Sequence, residues 1–353
     1  MTRLLLTAST LALMACEARA TTLTATPANV AAKVQAAQPG DVVQLESGEY
    51  VLHINARKAA PGVTITPASG AHVVASEIVA NGSSNLTFDG IEVAMTPAAN
   101  GVTAAGKGTE NIVFNHIKVH QADNQSLASV GFWIRLASNI TIQNSEVQWA
   151  HRGIAVLDSD HVTIKDNLIH DIKVDGMELA GTTDTTITGN KATNFHPTPG
   201  DHPDFIQWWG TAITKTNNLN IEGNHYERGT GGIAQGIFGE DGSNITIKGN
   251  SLLGVMYNGI GIARAQDVLI DANFVDGYPD MGTRIIVRGA CDRVTISNNT
   301  TPAVINYVQA GETPCKSVTQ KNNNTRLKPV SVTDQSAYRS WLAQKNAGGG
   351  NPR

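Results

Sequence analysis

A phrase of the type Asn-Ile-Thr-Ile, closed by Gly-Asn or Asn-Asn, recurs along this chain and restricts its fold more than any other feature. It reads Asn85-Leu86-Thr87-Phe88, Asn111-Ile112-Val113-Phe114, Asn139-Ile140-Thr141-Ile142 and His161-Val162-Thr163-Ile164 in the first half. It continues through Ile187, Ile221, Asn244-Ile245-Thr246-Ile247, Ile270 and Ile296, and fades at Val318-Thr319-Gln320-Lys321. With Leu45 and Ile65 taken as the first anchors, Leu45 to Ile296 spans 251 residues in ten steps, about 25 residues each. Inside each copy apolar and polar residues alternate, the period of a half-buried strand. One such strand cannot bury its apolar face alone, so the copies must stack. Asn suits the closing turn because it tolerates left-handed backbone and can hydrogen-bond to its counterpart in the next layer.

Composition agrees with a long all-β stack. Only 16 % of the 353 residues are charged and 34 are Gly, while the net charge of −4 offers no basic face for nucleic acid. Residues 1–20 read as a removable export signal: Arg3, an apolar run over 4–15, then Ala18-Arg19-Ala20. That run is too short to span a bilayer, and no later stretch is long enough. The alternative reading of Leu13-Met14-Ala15-Cys16 is a lipoprotein box that would attach lipid at Cys16. Either way the expected location is periplasmic or secreted, with no membrane span.

The repeat resembles the right-handed parallel β-helix (pectate-lyase-like) superfamily of exported carbohydrate-active proteins, over nearly the whole mature chain. The resemblance implies a single all-β domain of about eleven coils over 21–346, a disordered tail over 347–353, and a monomer. The segment Ala37-Gln38-Pro39-Gly40-Asp41 to Tyr50 looks like the family's opening coil. A helix over 27–37, with Thr26 as N-cap, is expected to cover the first coil. A second helix carrying Tyr338, Trp341 and Leu342 is expected to cover the last. Cys291 and Cys315, 24 residues apart, fall at equivalent points of neighbouring coils and are expected to form a disulfide.

The longest step, 34 residues from Ile187 to Ile221, contains His196, Asp201, His202, Asp204, Trp208 and Trp209. Insertions in solenoids emerge on one face, often the binding face. A second strand precedes each anchor, and its copies align as Phe132 to Arg135, Arg152 to Ala155, Asp175 to Glu178, Asp204 to Gln207, Gln235 to Phe238 and Asn258 to Gly261. In that alignment Ile154, Met177, Ile206, Ile237 and Ile260 point inward. Gly153, Ala155, Gly176, Glu178, Phe205, Gln207, Gly236, Phe238, Gly259 and Gly261 point outward as a shallow groove floor.

Stacking would gather His202, Asp204, Asp175, Glu178 and Arg152 as the catalytic cluster. Gln207, Trp208, Trp133, Arg135, His151, Gln235 and Asn258 would bind substrate. The chemistry favoured for this set is β-elimination or C5-epimerisation on a uronic-acid polysaccharide: Arg152 neutralises the carboxylate, His202 removes the adjacent proton, and Asp204 or Asp175 orients the imidazole. The resemblance also brings calcium into view, with Asp175, Glu178 and Asp204 as oxygen ligands. Glycoside hydrolysis by a carboxyl pair ranks second, although the Asn-Thr-Asp, Asp-Asp, Gly-His-Gly and Arg-Ile-Lys set of β-helix polygalacturonases is missing. A non-catalytic glycan-binding surface protein ranks third.

Overall fold

In the computed structural model, which describes residues 20–121, 127–308, 311–325, 328, 329, 339 and 343, the repeat winds into a parallel β-solenoid of about eleven coils. Thirty strands join in one continuous sheet, and every inter-strand pairing is parallel. The repeat anchors stand in direct register from coil to coil: Ile65 with Phe88, Phe88 with Phe114, Ile142 with Ile164, Ile187 with Ile221, and Ile270 with Ile296. All are buried, and the Phe88 and Phe114 rings stack at 5.4 Å. Burying one such side chain is worth about 2 kcal/mol, so the column is a major source of stability. One anchor needs correction: Val43, not Leu45, pairs with Ile65.

Two recurrent Asn positions explain the phrase itself. Asn85, Asn111, Asn139, Asn218 and Asn244, with Asp184 and Asp267 in equivalent places, form a corner just ahead of the anchor run at φ between 50° and 58°. Asn and Asp tolerate that left-handed corner better than other side chains. The closing Asn residues (Asn167, Asn190, Asn224, Asn250, Asn273, Asn299 and Asn323) form a ladder. Asn224 Nδ2, for example, donates to Ile187 O at 2.9 Å, and its Oδ1 accepts from Asn190 N at 3.0 Å.

A helix at Val30–Ala36 covers the first coil with Val30 and Val34. It begins later than expected, with Asn29 rather than Thr26 at the N-cap: residues 26–29 form a separate turn in which Asn29 N donates to Thr26 O and Asn29 Oδ1 accepts from Thr26 N. Buried Arg57 donates to Val34 O and Ala37 O, both at 2.9 Å, satisfying the helix's C-terminal carbonyls. Cys291 and Cys315 are disulfide-bonded, with Cα atoms 4.4 Å apart. All but the last residue of the signal expected over 1–20, the second helix's Tyr338, Trp341 and Leu342, and the tail lie outside the described residues. Among the described residues, no helix is long and apolar enough to cross a membrane.

The groove-bearing strands carry their own inward column: Leu52, Ile78, Val102, Phe132, Ile154, Met177, Ile206, Ile237, Ile260 and Ile285. Phe132, not Ile134, is therefore the partner of Ile154, and the expected alignment slips by two residues at that coil. Trp133 pairs with Ala155, and Arg135 with Leu157.

Candidate active site

The outer edge of these strands is a polar column in register: Arg152, Asp175, Asp204, Gln235 and Asn258. Gly153 N donates to Asp175 O and Gly176 N to Asp204 O, both at 2.9 Å, while Asp204 pairs directly with Gln235. The strands Arg152–Leu157, Met177–Ala180, Asp204–Trp209, Gln235–Glu240 and Tyr257–Ala263 hold the column. Residues 23 to 31 positions apart thus become neighbours.

The segment 194–203 leaves the coil here and folds over the column. Its base is fixed from both sides: His196 N donates to Ile172 O, and Gly232 N to Phe195 O, each at 2.7 Å. Gly231 has to be Gly, since a Cβ there would lie 2.6 Å from Phe195 N. Asp201 Oδ2 accepts from both N and Oγ1 of Thr198 at 2.7 Å and closes a turn. The next residue is His202, whose side chain remains 62 % exposed while its neighbour Asp204 is wholly buried.

His202 Nδ1 lies 3.2 Å from Asp204 Oδ2, and Gln235 Nε2 lies 2.6 Å from His202 Nε2. Asn258 Nδ2 in turn donates to Gln235 Oε1. This chain fits a neutral imidazole with its proton on Nδ1 and its Nε2 lone pair accepting from the amide. The edge of the ring faces Phe238, with centroids 6.5 Å apart. On the other side of Asp204, its backbone N–H donates to Asp175 Oδ1 at 3.1 Å. Arg152 Nε then contacts Glu178 and, at 3.5 Å, Asp175.

Burial sets the proton affinities. Desolvation, aided by the nearby charge of Asp204, pushes Asp175 from 3.8 up to about 6 against the pull of Arg152. Desolvation also raises Glu178 and Asp204. The hydrogen bond to Asp204 raises His202, outweighing its own partial burial. His151 moves the other way, lowered by burial and by the positive charges of Arg152 and Lys173.

The cluster expected from sequence is therefore assembled, but several roles change. Trp208 is fully buried in the core, with its ring against Gly239, and has no face to offer a sugar. Gln235 is buried beneath His202 and orients the ring instead of facing the groove. Gly153, Gly176, Gly236 and Gly259 are not a groove floor. A Cβ on each would strike Ile169, Phe195, Leu252 or Val275, so this column packs inward, and Phe205 in the same column is core. The true outward column is Trp133, Ala155, Glu178, Gln207, Phe238 and Gly261, with half-buried Trp209 and exposed Arg135 beside it.

Asp175, Glu178 and Asp204 do not fit a calcium site. Arg152 occupies the approach to the first two, and His202 covers the third. Among the described residues, no group of three His, Cys, Asp or Glu is placed to hold a metal. A cavity of about 730 Å³ beside Tyr50, Val51, His72 and Val74 belongs to the first coils and shares no residue with the cluster. Sequence reasoning missed Lys173, whose Nζ lies 3.8 Å from Asp201 Oδ2 at the flap. Its only signal was its place two residues before Asp175.

Comparison with known proteins bears on the scaffold. The family model described as right handed beta helix region matches residues 52–200 and 130–301. No curated protein matches by sequence. The A-module of the Azotobacter vinelandii mannuronan C-5 epimerase AlgE6 superposes with a TM-score of 0.63 at 15 % identity, covering 85 % of this chain and 92 % of that one. The AlgE4 A-module from the same organism gives 0.60 at 15 % identity, with 82 % and 90 % covered. The GH136 lacto-N-biosidase from Eubacterium ramulus gives 0.58 at 12 % identity, with 86 % and 68 % covered. At these identities the likeness is one of fold.

Proposed function

The chain belongs to the right handed beta helix family, and on that premise we propose that it is a polysaccharide-active enzyme that removes the C5 proton of a uronosyl residue, as a lyase or a C5-epimerase. The observation that carries this reading is an exposed imidazole, His202, held by buried Asp204 and Gln235, with Arg152 two coils away in the same polar column. A C5 proton is weakly acidic until the adjoining carboxylate is neutralised, and Arg152, about a third exposed, is the cation for that task. Neutral His202 exchanges the Gln235 N–H for the substrate and takes the proton on Nε2.

The electron pair left on C5 then has two fates. In elimination it forms the C4–C5 double bond as the C4–O bond breaks, and the departing oxygen takes a proton from the enzyme or from water. In epimerisation C5 regains a proton on the opposite face. Asp175 and Glu178 keep protons to higher pH than ordinary carboxyls, but Asp175 at about 6 ionises before His202 becomes neutral, so the proton returned to the leaving oxygen or to C5 comes from water. Support also comes from the shared fold with mannuronan C-5 epimerase modules. The apolar run over 4–15 with its A-x-A site supports export as part of the same reading.

Glycoside hydrolysis is the second reading, favoured by one observation: Asp175 at about 6 is suited to a general acid. Incubation with a panel of polyuronates and neutral glycans separates the outcomes. Elimination yields an unsaturated, ultraviolet-absorbing sugar, and epimerisation changes the anomeric proton spectrum without new chain ends. Hydrolysis yields reducing ends without absorbance, and binding with none of these signals marks a lectin. Full activity of His202→Ala on any substrate overturns the assignment.

A further inference from the structure

The edge of the groove next to the flap carries a cation, Lys173, that the proton transfer does not require. Lys173 N donates to Ala150 O and Val174 N to His151 O, both at 2.9 Å, so Lys173 is carried on the next coil over Ala150 and His151, two residues before the Asp175 that stands over Arg152. Arg152 is matched by Glu178 and Asp175. The ion pair of Lys173 is with Asp201, at 3.8 Å. Asp201 is already committed elsewhere, since its Oδ2 holds the Thr198 turn at 2.7 Å twice over. It therefore leans toward the ammonium without closing on it, and both side chains keep about a quarter of their surface in solvent. A loose, partly exposed pair of this kind contributes little. A mobile carboxylate, free to approach to hydrogen-bonding distance, makes a stronger partner.

We propose that Lys173, with His151 and Arg152 beside it, is an anion-binding subsite that seats an acidic group of the substrate at the mouth of the flap, in competition with the chain's own Asp201. The inference rests on the uronan-directed reading and adds to it a recognition residue and a built-in competitor. The Asp201 carboxylate acts on His151, so an anion held there lies next to His151, one residue before Arg152. Lys173 thus selects for charge on the sugar neighbouring the reacting one.

Two variants give opposite signs if this is right. Lys173→Gln removes the receptor, whereas Asp201→Asn removes the competitor and keeps a carbonyl oxygen for Thr198. Affinities are read by titration calorimetry with tetra-mannuronate and tetra-galacturonate, beside neutral cellotetraose, and turnover is measured separately on the matching polymers. Lys191→Gln, the same charge change at an exposed position of another strand, is the control. Expected are a loss of about ten-fold in affinity and a rise in KM for Lys173→Gln, with kcat nearly unchanged, and tighter binding for Asp201→Asn.

If both variants lose kcat together, the pair merely latches the flap and the inference falls. Uronan turnover with Lys173→Gln binding like the native protein also overturns it, while leaving the proposed reaction standing. Binding and turnover of neutral glycans alone would remove both.

Discussion

His202 Nδ1 lies 3.2 Å from Asp204 Oδ2, and the pair straddles the solvent boundary, the first side chain largely exposed and the second wholly buried. The arrangement fixes the tautomer and raises the proton affinity of the ring above its ordinary 6.5. The base has to be neutral, so kcat/KM should rise with pH through a value above 6.5. Asp204→Asn should move that limb to lower pH and cut the rate by roughly 10²-fold or more. A pH–rate profile of the two proteins checks this, and an unmoved limb would show that His202 is not the titrating base.

Asp175 offers a test in stability. Its folded value of about 6 exceeds the ordinary 3.8, so the folded state binds this proton more tightly than the unfolded chain. Its favourable contribution is complete below about pH 4 and is lost as pH rises through 6, a swing of roughly 3 kcal/mol. Asp175→Asn should therefore look more stabilising, or less destabilising, at pH 8 than at pH 4. Urea midpoints at the two pH values measure the difference; equal effects would mean that Asp175 is not perturbed.

The Asn ladder should be energetically expensive to break. Asn224→Ala leaves Asn190 N, Ile187 O and Asn250 Oδ1 each short of a buried partner. A loss of about 2–4 kcal/mol is expected, against less than about 1 kcal/mol for Asn220→Ala on the half-exposed strand face. Equilibrium denaturation distinguishes the two.

Cys291 and Cys315 close a loop of 24 residues. Replacing Cys315 with Ala should lower stability by about 3 kcal/mol through the entropy returned to the unfolded chain. Hydrogen exchange should show the opening concentrated in strands Asp292–Ser297 and Val318–Lys321, with the ladder around Ile164 unaffected.

The coils were legible in the sequence because each anchor is buried by its own copy one turn away, so Ile187 and Ile221 announce the same local environment. The polar column was legible for the same reason: Asp175, Asp204 and Gln235 recur at one phase of the repeat. What escaped was any place where the alternation fails. Gly153 and Ile154 both face inward because the strand turns a corner there, so a strict two-residue period misassigns the Gly column as a floor. Trp208 looked like a sugar platform by residue type, yet its phase within Asp204–Trp209 makes it core. Lys173 lies in a turn with no repeat partner, and only the fold shows that it meets the flap.

The thirty-four-residue step between Ile187 and Ile221 still ends with those two side chains in direct register. The winding thus tolerates a long excursion between turns so long as its base stays anchored, with Phe195 in the core and His196 N on Ile172 O. A solenoid of this kind can change its chemistry by rewriting the outer part of one such excursion, while the shaft on which it is mounted keeps its register.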